Sequence, residues 1–238
     1  SDRARHLIDT VLSEGRSRLN AAEAMEFLEA YRIAVAPTRV ADTPETAALA
    51  AGELGGSINL SIRTGNDTRF PEVETVTLNS ETSDTVLETA AAMAEQIKEN
   101  YPEAPPVGFV VQPVIPRRET LTLSMGMRFD AIFGPVIYFG QGGISGEAMP
   151  DIAVTLPPLN MKLAREVISR ARIFRLLSGF RDRPALDLDA VAFTLVKVSQ
   201  IVCDFAEIQT LDINPLLAGS SGVLTLNAHV GITAATAS

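Results

Sequence analysis

Apolar residues recur along this chain at two spacings, and together they predict a mixed architecture. Leu7, Ile8, Val11 and Leu12 fall on one side of a helix within residues 1–15. Asn20 followed by Glu23 resembles a capping box, with Asn in place of the usual hydroxyl. A helix is therefore expected over Ala21 to Tyr31, offering Met25, Phe27, Leu28 and Tyr31 to a core. Ile33 to Ala41 reads as a strand interrupted at Pro37. Thr43-Pro44-Glu45 opens a helix with proline at its first position, and Gly55-Gly56 stops it. Ile58 to Ile62 reads as a strand, and the polar run Arg63 to Pro71, with Gly65 and Asn66, as an exposed loop. Val73, Val76 and Leu78 belong to the next strand, and Asp84 to Glu99 to a helix with Leu87, Ala90, Ala91, Ala94 and Ile97 on one face.

Periodicity stops at Tyr101-Pro102-Glu103-Ala104-Pro105-Pro106, which predicts a boundary. Beyond it, Val107 to Val114 and Glu119 to Met127 read as two strands joined by Pro116-Arg117-Arg118. Pro135 to Phe139 is a short apolar run that suits a buried strand. Asn160 caps a helix holding Leu163, Ala164, Val167, Ile168 and Ala171, and Leu177-Ser178-Gly179-Phe180-Arg181 breaks it. Asp187 caps another, in which Val191, Leu195, Val198, Val202 and Phe205 repeat. The end is strand-rich: Ile208 to Ile213, Leu216-Leu217, Val223 to Leu226, Val230 to Ile232. The expected organisation is α+β in three parts: a lead-in helix at 1–15, a lobe at 16–104 and a lobe at 105–238. The lead-in helix reads equally as the end of a preceding segment of a longer protein.

Composition narrows the class. At 238 residues and 46% hydrophobic, without a long apolar run, the chain reads as a soluble globular protein with no membrane span and no secretory leader. A net charge of −9 argues against nucleic-acid binding, which needs a basic footprint. Cys203 is the only cysteine, so no internal disulfide forms, and a reducing cytoplasm is the expected setting. Its place in an apolar helix makes it a core candidate. Lysine is scarce: Lys98, Lys162 and Lys197 are the only three.

Two stretches carry candidate chemistry. After the apolar run come Gly140, Gly142 and Gly143, then Glu147 and Asp151. Gly-rich turns after a strand present backbone N–H groups that suit anionic oxygens, although such a turn is equally a bend between two strands. In Leu211-Asp212-Ile213-Asn214-Pro215, strand alternation puts Asp212 and Asn214 on one face. A carboxylate beside an amide oxygen makes an edge for Mg²⁺ or Ca²⁺; the alternative is a strand-end turn before Pro215. Glu119 faces the same space or is an ordinary solvated charge. His6 and His229, the only histidines, lack partners at metal-ligand spacing and read as surface or satisfied groups.

Taken in order, these stretches resemble the ATP-grasp domain of NDP-forming (ADP-forming) acyl-CoA synthetases, including the copy found fused to an acetyltransferase. The matching segments are Ala24 to Val35, Val110-Val111-Gln112-Pro113, Glu119-Thr120-Leu121 and Phe129-Asp130 to Pro135. They continue with Phe139-Gly140-Gln141-Gly142-Gly143 (with Glu147 and Asp151), Leu177 to Arg181, and Asp212-Ile213-Asn214-Pro215-Leu216. The resemblance spans roughly residues 15–233. It implies an ATP-grasp fold, two α+β lobes around a nucleotide cleft. It also implies ATP and Mg²⁺ as cofactors, and CoA-binding domains as partners, in the same protein or in a partner subunit. Val110 to Pro113 would line the adenine pocket, Glu119 would contribute to the nucleotide site, Gly142 and Gly143 would approach the transferred phosphoryl group, and Asp212 and Asn214 would help hold Mg²⁺.

The same resemblance exposes replacements. Ser61 stands where the family has an ATP-contacting lysine, Arg69-Phe70 where it has a His-Lys pair, Glu74-Thr75 where it has Gly-Gly, and Asn227 where it has a metal-binding aspartate. Serine supplies no charge against phosphates, and an amide brings less than a carboxylate to Mg²⁺. Arg63 and Arg69 are the cations left nearby. Phosphoryl transfer depends on positioned charge, so these losses point to a weakened or inactive site. Two readings stand: the nucleotide-binding part of an acid-CoA ligase, or a degenerate ATP-grasp-like regulatory module of a larger protein. A third is a two-lobed scaffold that binds nothing.

Overall fold

The structure is a computed structural model that describes residues 1–63, 73–79, 83–100, 102, 108–116, 119–143, 151–179, 181 and 184–233. In chain order the elements are α1 (Asp2–Ser13), α2 (Ala21–Ala30), β1 (Arg39–Ala41), α3 (Pro44–Leu54), β2 (Ser57–Arg63), β3 (Val73–Asn79), α4 (Ser83–Asn100) and β4 (Gly108–Pro113). They continue with β5 (Leu121–Asp130), β6 (Gly134–Gln141), β7 (Ile152–Thr155), α5 (Met161–Arg170), α6 (Phe174–Leu177), α7 (Leu188–Asp204), β8 (Ile208–Gly219), β9 (Gly222–Thr225) and β10 (Ala228–Ile232). The chain forms two compact units, one of residues 36–116 and one of residues 1–35 with 117–238.

The smaller unit is a four-stranded antiparallel sheet, ordered β1-β4-β2-β3, under two helices. Thr43 caps α3 by accepting from the Thr46 N–H, with Pro44 at the start of the helix. Ala47, Ala48 and Ala51 of α3 and Val86, Ala90, Met93 and Ile97 of α4 pack on Ile58, Leu60, Ile62, Phe109 and Val111. Alternation along β2 and β4 thus buries one face of this sheet.

The larger unit is a six-stranded antiparallel sheet, ordered β10-β8-β5-β6-β7, with β9 added beside β8. Its core face carries Met125, Met127, Ile137, Phe139, Leu211 and Ile213, which join a cluster with Val191, Leu195 and Val198 of α7 and Phe27 and Leu28 of α2. Asn20, Asn160 and Asp187 each accept the expected backbone N–H as helix caps, and at Asn20 the capping box is complete.

The packing units do not follow the division at 104/105. Residues 17–19 and 34–35 are tied into the larger unit. Leu19 N donates to Val230 O (3.1 Å), Ile232 N to Ser17 O (2.8 Å) and Thr225 N to Ala34 O (2.9 Å). The lead-in helix α1 is part of the same core, through Ala4, Ile8 and Val11. Conversely β4, expected in the second lobe, pairs with β1 and β2 in the smaller unit. The expected strand over Ile33–Ala41 is two pieces, a single bridge from Val35 to Thr225 and the short β1. Cys203, read as a core position, is exposed near the end of α7. Among the described residues no helix is long and apolar enough to cross a membrane.

Candidate functional site

In antiparallel sheets, residues directly opposite one another share a face. In the larger unit, His229 lies opposite Asp212, Asp212 opposite Gly126, Gly126 opposite Tyr138, and Tyr138 opposite Val154. This row crosses the whole sheet on the face away from the helices. Asp212 and Asn214 are both half-buried, while Leu211 and Ile213 between and beside them are sealed. The expectation that these two side chains share a face therefore holds, and β8 runs on through Pro215 instead of ending there.

Gly126 has no side chain in the middle of that row, and Tyr138 uses the space. Its hydroxyl donates to Asp212 Oδ1. A Cβ at Gly126 would stand 2.8 Å from that hydroxyl and 1.9 Å from Leu211 O. Tyr138 is 6% exposed, and burial first, then the Asp212 charge, pushes its hydroxyl far above the usual phenol range. The Arg128 guanidinium carbon lies 5.3 Å from the centre of the ring, within reach of a cation–π attraction. Tyr138 was not among the sequence candidates. It lies inside an apolar run, and only the register of three strands shows what its hydroxyl meets.

Asn214 is bound to the glycine turn: Gly143 N donates to Asn214 Oδ1 at 2.9 Å. Gly142 N donates to Thr122 O at 3.0 Å. These two N–H groups are committed to protein acceptors. The glycines serve close packing. A Cβ at Gly142 would be 2.3 Å from Leu123 O, one at Gly140 2.0 Å from Asp151 O, and Gly143 has φ +67°. Asp151 is a capping group, its two oxygens accepting from Arg172 N and Ile173 N, each at 2.9 Å. Glu147 lies outside the described residues.

Asn214 also pairs with the last strand, its N–H donating to Asn227 O at 3.2 Å. Asn227 Nδ2 lies 3.2 Å from His229 Nε2. The structure thus gathers Asp212, Asn214, Asn227 and His229 at the β8–β10 edge and links them to Gly143. Glu119 stands apart from this network at the entry to β5, exposed, with φ +59°.

In the smaller unit, Val110 lies opposite Ser61 and Gln112 opposite Asn59. These side chains lie on the face away from α3 and α4, and Val110, Gln112 and Ser61 are half-buried. Gln112 Nε2 donates to Thr38 Oγ1 at 2.8 Å. Val111 is fully buried against the helices, so the middle of the Val110–Pro113 segment presents backbone alone outward. The Arg69-Phe70 pair lies outside the described residues.

Residues 10–232 match the model of the ATP-grasp domain family. The chain belongs to that family. The ATP-grasp domain is 31% identical over 222 residues to acetate–CoA ligase [ADP-forming] I of Archaeoglobus fulgidus, covering 93% of this chain but 32% of the relative. It is 28% identical over 229 residues to acetate–CoA ligase [ADP-forming] I subunit beta of Pyrococcus furiosus, covering 96% of this chain and 97% of that subunit. Among solved structures it resembles dinucleotide forming acetyl-coenzyme A synthetase 1 of Ca. Korarchaeum cryptofilum, in complex with coenzyme A, Ca-AMPCP and HgCl⁺. That match has a TM-score of 0.84 at 27% identity and covers 97% of this chain and 100% of that one. The fold is the ATP-grasp fold, and the similarity is to ATP-grasp domains of ADP-forming acyl-CoA synthetases.

The family implies Mg²⁺, and the donor set can be tested for it. Among the described residues no group of three or more His, Cys, Asp or Glu converges as a metal cage. Mg²⁺ carried by phosphates needs only one or two carboxylates from the protein, the rest being water and phosphate oxygen. Asp212 meets that minimum, because the hydrogen bond from Tyr138 engages Oδ1 and leaves Oδ2 for a cation. The residues therefore fit a phosphate-borne ion and not a dedicated site.

Proposed function

We propose that this ATP-grasp domain binds ATP with Mg²⁺ as the nucleotide-binding part of an ADP-forming acyl-CoA synthetase. The observation that carries the reading is the half-buried Asp212–Asn214 edge, held open on the sheet face by Tyr138 and Gly143. In this reading Asp212 and Asn214 hold the ion, which screens phosphate charge and polarises the transferred phosphoryl group. Gly142 and Gly143 keep side chains out of the phosphate's way, Val110 to Pro113 offer backbone to the base, and Glu119 completes the nucleotide site. The partner is a set of CoA-binding domains. Support comes from the Pyrococcus furiosus relative, named as a beta subunit, and from the Archaeoglobus fulgidus relative, about two-thirds of which lies outside the match.

Isothermal titration with Mg·ATP tests the reading. Heat of binding is expected, and Asp212→Asn is expected to weaken it. No heat and no thermal shift at millimolar nucleotide would defeat it.

A second reading, a catalytically impaired module serving regulation in a larger protein, rests on a different observation. Ser61 sits in mid-strand where the resemblance puts a lysine, and Asn227 sits beside Asn214 where it puts an aspartate. The amide N–H groups of Gly142 and Gly143 are also already bound. ADP formation by the full-length protein, abolished by Glu119→Ala, would exclude this reading.

A further inference from the structure

The geometry points to Tyr138 as the positioning residue for Asp212: its hydroxyl, reaching across Gly126, holds the carboxylate in the orientation that serves a nucleotide-bound divalent cation. This inference rests on the nucleotide reading above and names how that site is kept in shape.

Asp212 is a half-buried carboxylate on the sheet face away from the helices, where a side chain without a partner would rotate about χ1 and χ2. Among the described residues Tyr138 is the donor seen on its oxygens. The tyrosine itself has little freedom. Its ring is 6% exposed, and β6 is paired on both sides, with β5 and with β7. Arg128, two residues along β5 from Gly126, lies against the ring. The arrangement exists only because residue 126 is glycine, since any side chain there would collide with the tyrosine hydroxyl and with Leu211 O. Burying a phenol in an apolar strand carries a desolvation penalty unless the hydroxyl finds an acceptor. Here the acceptor is the carboxylate proposed as the metal ligand. Hydrogen bonds to a ligating carboxylate fix its direction, and losing such a partner commonly lowers metal affinity about 10–100-fold.

The test separates metal-dependent from metal-independent binding. Affinity for ATP is measured by calorimetry in EDTA and with Mn²⁺, for the wild type, Tyr138→Phe and Asp212→Asn, with thermal melting of each. Mn²⁺ is expected to tighten ATP binding by the wild type, and Asp212→Asn to abolish that gain. Tyr138→Phe is expected to cut it about tenfold, with ATP affinity in EDTA unchanged. The electron paramagnetic resonance spectrum of bound Mn²⁺ should change with Tyr138→Phe. If the phenylalanine variant melts too low to assay, Tyr138→Met keeps an apolar body without the hydroxyl and takes its place. A full Mn²⁺ gain in the variant lacking the hydroxyl, with the gain lost in Asp212→Asn, would overturn the role of Tyr138 and leave the nucleotide reading standing. A wild type that binds no ATP at all would overturn both.

Discussion

In the unit of residues 36–116, Gly55 and Gly56 end α3 with φ angles of +67° and +68°, and nothing lies within 4 Å of where a Cβ would stand. In the unit of residues 1–35 and 117–238, a Cβ at Gly126, Gly140 or Gly142 would stand 1.9, 2.0 or 2.3 Å from a backbone oxygen. The first pair is there for backbone conformation, the second group for space. The two units also differ in how their candidate residues are held. In the larger, Asp212 is tied to Tyr138 and Asn214 to Gly143. In the smaller, Ser61 stands in mid-strand opposite Val110, at a shift of register in the β2–β3 pairing. The contrast teaches that a residue on the sheet face away from the helices can vary without disturbing the core, because the buried side chains of its strand point the other way. Where the chemical groups also hold the backbone together, as at Gly143–Asn214, the two are lost or kept as one.

The comparison can be broken most directly at the glycines. Gly142→Ala is expected to lower stability by about 3 kcal/mol, because strand backbone must move to admit the methyl group. Urea unfolding measures it, and a loss no larger than that of Gly56→Ala would erase the distinction drawn between the units. Asp151→Ala removes both acceptors from Arg172 N and Ile173 N and should lower stability by about 2 kcal/mol, without changing ATP affinity. Paired denaturation and calorimetry check it, and a loss of binding would return Asp151 to the site.

Ser61→Lys asks whether, in the proposed nucleotide reading, a cation on this sheet face adds to binding. ATP affinity is expected to rise about tenfold by calorimetry, since a lysine there would face phosphate with full charge. No change would mean that the face no longer meets nucleotide. Gly56→Ala should lower stability by about 1 kcal/mol, the strain of a left-handed alanine with room around it.

The smallest effect concerns Asp130, at the β5–β6 turn. Backbone N–H donation from Phe133, then Ile132, holds its carboxyl below the usual range. A depressed carboxyl adds stability above its unfolded value, about 3.9, and loses it as pH falls through the lower folded value. Asp130→Asn should therefore be slightly less stable than the wild type at neutral pH, and the gap should close on acidification. A gap that persists in acid would contradict the sign.

Much of this was legible in the residues. Asn20, Thr43, Asn160 and Asp187 marked helix starts because caps are local, involving a side chain and a backbone N–H three residues on. The shared face of Asp212 and Asn214 followed from strand alternation, which is also local. What escaped was non-local. The strand β7, only four residues long, has too few positions to display alternation. The boundaries at 15/16 and 104/105 followed local pattern and composition, whereas backbone hydrogen bonds that Ser17 accepts from Ile232, Ala34 from Thr225 and Leu19 donates to Val230 decide which sheet those residues join. Cys203 fell on an apolar helix, but on the side that faces water.

By itself, then, the sequence determined most of the elements, their caps and the family resemblance that the family model bears out. Those depend on residue type and on neighbours a few positions away. Only the tertiary structure decided that Tyr138 reaches Asp212 over Gly126, that Asn214 holds Gly143, and that Asp151 caps a turn. Each of those contacts joins residues 21 to 74 positions apart, and strand register, which sets which side chains meet, is a property of the assembled sheet.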